Sequence, residues 1–159
     1  MTEPIDPERD LTIERFIRAP KSAIWEAWTQ PRKFEQWWVP EPAKCRAVRF
    51  EVVPGGPLVT EISEAGQPFA PHMNGCFLLV EPQQRLIFTD ALLGGWRPAP
   101  SSFITAEIAL HAVDGGTQYS ARVMHSDRAH RDKHAELGFY DGWGTVIGQL
   151  AKFVETPAS

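Results

Sequence analysis

The sequence predicts an α+β fold: a curved antiparallel sheet of about seven strands, two short helices after the first strand, and a long C-terminal helix packed on the sheet. Three observations predict it. Most of the chain between residues 43 and 125 alternates apolar and polar residues with period two, broken at regular intervals by Gly and Pro. A short stretch after the first strand-like segment changes to helical spacing, and so does the last quarter of the chain.

Along the chain, DLTIERFIRA alternates, with Leu11, Ile13 and Ile17 on one side and Phe16 on the other, as in a strand. Pro20 then stands where a first helical turn tolerates proline. KSAIWEAWTQ follows, with Ile24, Ala27 and Trp28 on one face and Trp25 at its edge. Pro31 closes that helix and opens a second, PRKFEQWW, which puts Phe34, Trp37 and Trp38 on one stripe before VPEP ends it. Six more strand segments follow: AKCRAVRFEVV, LVTEIS, HMNGCFLLVE, RLIFTDALL, SSFITAEIALHAV and TQYSARVMH, separated by PGGP, EAGQP, PQQ, GGWRPAP and DGG. Asp114-Gly115-Gly116 is a tight-hairpin signal, because glycine accepts positive φ, so the last two strands should pair antiparallel. Glu107 and Arg122 would then form a cross-strand ion pair. Phe139, Trp143, Val146, Ile147, Leu150 and Val154 recur at steps of three and four, a helix of four or five turns ending near Thr156-Pro157. Gly138, Gly142 and Gly144 each cost about 1 kcal/mol inside a helix, which points to a late start or close packing on the sheet. Residues 1–9 read as a flexible N-terminus and 10–156 as one domain.

Composition narrows the function classes. The 159 residues are 43% hydrophobic and 23% charged, as in a soluble globular protein. A net charge of -4 with no basic run argues against nucleic acid as a partner. No apolar stretch approaches the roughly 20 residues that span a bilayer, and MTEPIDPERD lacks the basic start and apolar run of a signal peptide, so no membrane insertion and a cytoplasmic location are expected. Cys45 and Cys76 have no metal-ligand spacing and read as free, mostly buried thiols.

A curved sheet gripping one helix leaves a space between them, the usual place for a small ligand. The segments APKSAIWEAWTQPRKFEQWWVP, PGG, VEPQQRLIFTDAL, DGGTQYSARVMH and GFYDGWGTVIGQLAKF resemble, in that order, the family homologous to the carboxy-terminal domain of the activator of the heat-shock protein 90 ATPase. That family lies in the START-like (SRPBCC) superfamily, with the helix-grip fold of birch pollen allergen. The resemblance covers roughly residues 10 to 155. It implies a scaffold that hosts lipid carriers, hormone receptors, cyclases and chaperone regulators. The eukaryotic activator has an additional amino-terminal domain that does much of the chaperone binding, whereas the first strand here begins near residue 10.

The expected function is therefore binding of a small, hydrophobic or lipid-like ligand without catalysis, in a pocket of roughly 300 Å³ or more. Its walls would be Trp38, Phe77, Phe88, His125, Phe139, Tyr140 and Trp143, and no cofactor is expected. His125 shares a strand face with Tyr119, Ala121 and Val123, at the end of the row facing the cavity. Of the adjacent Trp37 and Trp38, one should anchor the core and the other line the cavity, and spacing does not assign which. One alternative is a protein-interaction module with a chaperone partner. Another is a cyclase- or hydrolase-like enzyme using His72, His125 and Tyr140 as acid and base. His125, His130 and His134 offer a metal-binding alternative if HSDRAHRDKH is helical, but a solvated polar loop is the expected state of that run. Self-association into a homodimer stays open.

Overall fold

Seven strands pair into one antiparallel sheet whose inward side chains share a core with α1, α2 and α4. The computed structural model describes residues 4–155. In chain order the elements are β1 (Asp10–Ile17), α1 (Lys21–Thr29), α2 (Pro31–Phe34), β2 (Lys44–Phe50), β3 (Pro57–Ser63), β4 (Ala70–Glu81), β5 (Arg85–Thr89), β6 (Leu92–Leu93), β7 (Arg97–Pro98), β8 (Thr105–Val113), β9 (Gly116–Met124), α3 (Arg128–Glu136) and α4 (Phe139–Glu155). The large sheet has the order β1-β9-β8-β5-β4-β3-β2, so α1 and α2 carry the chain from one edge to the other. The expected helix end at Thr156-Pro157 lies outside the described residues.

Register follows the alternation. Leu11, Ala106 and Val123 align on one row and Ile13, Ile108 and Ala121 on the next, and this face packs against α4 and α1. The opposite face carries a ladder of charges, Asp10–Arg122–Glu107–Arg85–Glu81, which includes the expected Glu107–Arg122 pair at 3.1 Å. The β8–β9 hairpin turns at Asp114-Gly115, with Gly115 at φ +83°; a Cβ on Gly116 would stand 2.2 Å from the Ile17 carbonyl oxygen. Three bulges curve the sheet, with Val48, His72 and Leu78 as the extra residues.

Four local expectations need correction. The strand expected over RLIFTDALL stops at Thr89, because the Asp90 carboxylate turns back to accept from the Phe103 and Ile104 amides at 2.7 and 3.0 Å. Beyond it, β6 and β7 form a separate small hairpin around Gly95 and Trp96. The second helix closes at Phe34 and continues to Trp38 only as hydrogen-bonded turns. HSDRAHRDKH is not a loop: Asp127 accepts from the His130 amide at 2.8 Å as an N-cap and α3 follows. Gly138, at φ +96°, then breaks the chain between α3 and α4, the late start that its glycines suggested. Both cysteines are free and buried, and burial pushes the Cys45 thiol up to about 12. Before β1, Asp6 accepts backbone hydrogen bonds from Arg9 and Asp10 in a turn.

The core centres on aromatic rings. Trp28 of α1 packs against Phe34, Trp37, Trp38 and Phe88, with ring centroids 4.9–5.7 Å apart. Its indole N–H donates to the buried Tyr119 hydroxyl at 3.1 Å, and desolvation drives the phenol pKa far up, so that group stays neutral. Trp28→Phe should destabilise the protein by roughly 2–3 kcal/mol, from lost packing and an orphaned hydroxyl. In denaturant unfolding, Trp28→Phe combined with Tyr119→Phe should cost about 1 kcal/mol less than the sum of the single changes. Strict additivity would show that the bond contributes nothing beyond packing.

Candidate functional site

Between the start of α4, the bulged part of β4 and the segment after α2 lies a cavity of about 260 Å³. Its apolar walls are Trp38, Met73, Phe103, Ile104, Trp143 and Val146, with Pro40 and Gly142 at its edges and two histidines, His72 and His134, as its ionisable groups. Each wall has a local cause. Trp143 and Val146 belong to the apolar stripe of α4. A Cβ on Gly142 would meet nothing within 4 Å, so the side chain missing there contributes open space. Phe103 and Ile104 are held by their amide bonds to Asp90.

The two tryptophans have opposite roles. Trp37 is 1% exposed and donates its indole N–H to the Ala27 carbonyl at 3.0 Å, so it is the core anchor. Trp38 is partly buried, stacks on Phe34, meets Trp143 edge-on at 6.3 Å, and forms a cavity wall. Its own indole nitrogen is buried without an acceptor among the described residues. Gln149 of α4 fixes this segment: its amide N–H groups donate to the Trp37 and Val39 carbonyls at 3.0 and 2.8 Å, and its oxygen accepts from the Glu41 amide at 2.7 Å. Gln149 lies off the apolar stripe of α4, so periodicity carries no signal of this clamp.

The histidines sit in two networks. His72 is the bulge residue of β4, and its Nδ1 lies 3.1 Å from Thr60 Oγ1, which also accepts from the Met73 amide at 3.2 Å. His125 follows directly on β9 and is buried. Its Nδ1 is 2.8 Å from the Arg9 carbonyl oxygen and its Nε2 is 2.9 Å from His134 Nδ1. His134 packs against Phe103 and Phe139, with centroids at 4.7 and 5.1 Å. Burial first, and the neighbouring His125 second, lower its pKa from the ordinary 6.5 to about 4.

Of the seven expected pocket residues, Trp38 and Trp143 line the cavity. Phe77, Phe88 and Phe139 are at most 1% exposed and form the core behind it: Phe139 stacks on Trp143 and Phe88 meets Trp38. His125 stands behind His134 with both ring nitrogens engaged, and Tyr140 is 55% exposed and outside the lining. The catalytic trio of His72, His125 and Tyr140 therefore contributes only His72 to the cavity. Nor do His125, His130 and His134 converge: His130 is held by Asp127 and Ser126, and no group of three metal-ligating side chains occurs among the described residues. Sequence reasoning missed Met73, Phe103, Ile104 and Val146 as walls; only Val146 carried a signal, its place beside Trp143 on the apolar stripe. A larger, open hollow of about 500 Å³ on the opposite sheet face is lined by the paired charges of the ladder. No helix among the described residues is long and apolar enough to cross a membrane.

Comparison with known proteins agrees with this architecture. The crystal structure of protein NE0264 from Nitrosomonas europaea superposes with a TM-score of 0.86 at 37% identity, covering 95% of this chain and 97% of that one. At the level of fold alone, protein CV1439 from Chromobacterium violaceum matches with a TM-score of 0.75 at 22% identity over 93% and 99% of the two chains. The AHSA1-like protein from Aeromonas hydrophila does so with 0.68 at 19% identity over 92% of each. No protein of curated function matches the chain. The family model described as Activator of Hsp90 ATPase homolog 1-like protein matches residues 18–155, and with a helix-grip α+β fold over that span the chain belongs to this family.

Proposed function

We propose that this protein binds a compact hydrophobic molecule in the cavity between α4 and the sheet, without transforming it. The observation that carries this reading is the cavity itself, an apolar space beside a helix whose glycine leaves it open. Its size limits the ligand. About 260 Å³ falls just short of the 300 Å³ expected, so a long lipid chain does not fit within it. A cavity of about 150 Å³ holds benzene, so one substituted ring or two fused rings is the scale indicated here.

The ionisable groups favour binding over catalysis. A general base works best with a pKa near the working pH, and His134 at about 4 is too weakly basic for that task at neutrality. The chaperone partner implied by the family's description would meet an outer surface, where Leu137 and Tyr140 are exposed beside the α3–α4 corner, and the cavity reading does not depend on it.

Two substitutions separate wall from core. Trp38→Ala should lower ligand affinity proportionately more than it lowers stability. Gly142→Leu should abolish binding while raising stability by about 0.5–1 kcal/mol through helix propensity. Calorimetric titration with a small aromatic compound, paired with denaturant unfolding, reads both; unchanged affinity in Gly142→Leu would sink the cavity reading.

The pH dependence has a definite sign. His134 has a folded pKa below its unfolded value, so its contribution is fully present above about 6.5 and is lost as pH falls through about 4. His72, lowered from 6.5 by its own burial, acts with the same sign, whereas Asp6 and Asp127, also lowered, act only beneath 3.8. The thermal midpoint should therefore fall between pH 6.5 and 4, and His134→Leu should reduce that slope, leaving the part that His72 contributes. A wild-type slope retained in the variant would assign the effect elsewhere.

A further inference from the structure

Of the two histidines of the cavity, His134 is held in one tautomer by the backbone, and His72 meets a hydroxyl that also binds the backbone. On one side, the Arg9 carbonyl can only accept, so His125 Nδ1, at 2.8 Å, must carry a proton. In the neutral ring Nε2 of His125 is then a bare acceptor, and the hydrogen bond of 2.9 Å to His134 must be donated by His134 Nδ1. That leaves His134 Nε2 unprotonated, with no partner among the described residues. On the other side, Thr60 Oγ1 accepts from the Met73 amide and keeps a second lone pair and its own proton for His72 Nδ1, 3.1 Å away, so it can pair with either tautomer of that ring. One cavity thus holds an imidazole of fixed tautomer from α3 and a second imidazole from the bulge of β4, in otherwise apolar surroundings.

We propose, resting on the cavity reading, that the Thr60 hydroxyl donates to His72 Nδ1, and that the ligand is an uncharged ring compound with a hydroxyl that donates to His134 Nε2 and a carbonyl that accepts from His72 Nε2. Charged ligands are disfavoured, because neither neutral ring offers a countercharge and the remaining walls are apolar. Hydrocarbons of the same size leave both imidazole nitrogens facing the ligand without a partner, and a site built to hydrogen-bond rejects such analogues.

Four compounds test this by isothermal titration calorimetry: 4-hydroxyacetophenone has both groups, 4-methoxyacetophenone lacks the donor, 4-ethylphenol lacks the carbonyl, and 4-ethyltoluene lacks both. The first should bind roughly tenfold more tightly than the second or third, and the fourth most weakly. His134→Leu should erase the preference for hydroxyl over methoxy alone, and His72→Leu the preference for acetyl over ethyl alone, with thermal melts confirming that each variant folds. Two-bond ¹H–¹⁵N spectra of histidine-labelled protein at neutral pH should show His134 protonated on Nδ1 and His72 on Nε2. The reverse tautomer at either ring, or equal affinity for all four compounds, overturns the assignment and leaves cavity binding standing. Binding by none of the four overturns the cavity reading, and the assignment with it.

Discussion

Trp28 reaches from α1 into the middle of the sheet, and its contacts constrain most of what surrounds it. Its N–H ends on Tyr119 of β9, while its ring is shared by Phe34 and Trp37 from the α2 segment and by Phe88 from β5. A polar bond buried in an aromatic cluster tolerates little displacement, since shifting either partner leaves two unsatisfied groups in a medium of low dielectric. With α1 fixed, Pro31 and the short α2 can place the next residues in few ways. The Trp37 N–H reaches back to Ala27, and adjacent residues pointing apart leaves Trp38 for the opposite direction. The wall of the cavity is in this sense a consequence of the anchor of the core.

The far side of the cavity is set by different means. A flat sheet under a straight helix would close the space with side chains. Bulges at Val48, His72 and Leu78, one in each successive strand pair from β2 to β5, bend this half of the sheet instead. The middle bulge also turns a histidine to the rim. Gln149 ties Trp37, Val39 and Glu41 to α4 through three hydrogen bonds, so the helix that roofs the core also holds the entrance segment in place. Rigid walls matter for a small ligand, because affinity gained by contact is easily lost to ordering a mobile pocket.

The fold was legible in the sequence because it depends on periodicity and punctuation, both local properties. Gly115 and Gly116 marked the hairpin, and the stripe from Phe139 to Val154 marked the grip helix. What was not legible depended on partners distant along the chain. Phe103 becomes a wall because Asp90 holds its amide, and His134 becomes one because Arg9, 125 positions earlier, fixes His125. The α3 helix was missed for another reason: apart from two alanines its composition is polar, and the Asp127 cap outweighed the absence of an apolar stripe. Phe77, Phe88 and Phe139 were assigned to the pocket because alternation finds the inward face without telling how deep along it the space lies.

The polar contacts of the cavity follow the same division. An isolated imidazole exchanges its tautomers readily, so two histidines at a surface specify no ligand. Here His134 is referred, through His125, to the Arg9 carbonyl, which can only accept, while His72 meets the Thr60 hydroxyl that the Met73 amide also binds. Passing through His125, the fixed role of that carbonyl emerges at the cavity as an acceptor on His134. The relay through His125 also keeps His134 neutral, because a proton added to His134 would sit beside a second imidazole and among aromatic rings that cannot solvate it. Discrimination by such a site comes from the geometry of the main chain, and it persists as long as β1, β4 and β9 stay in register.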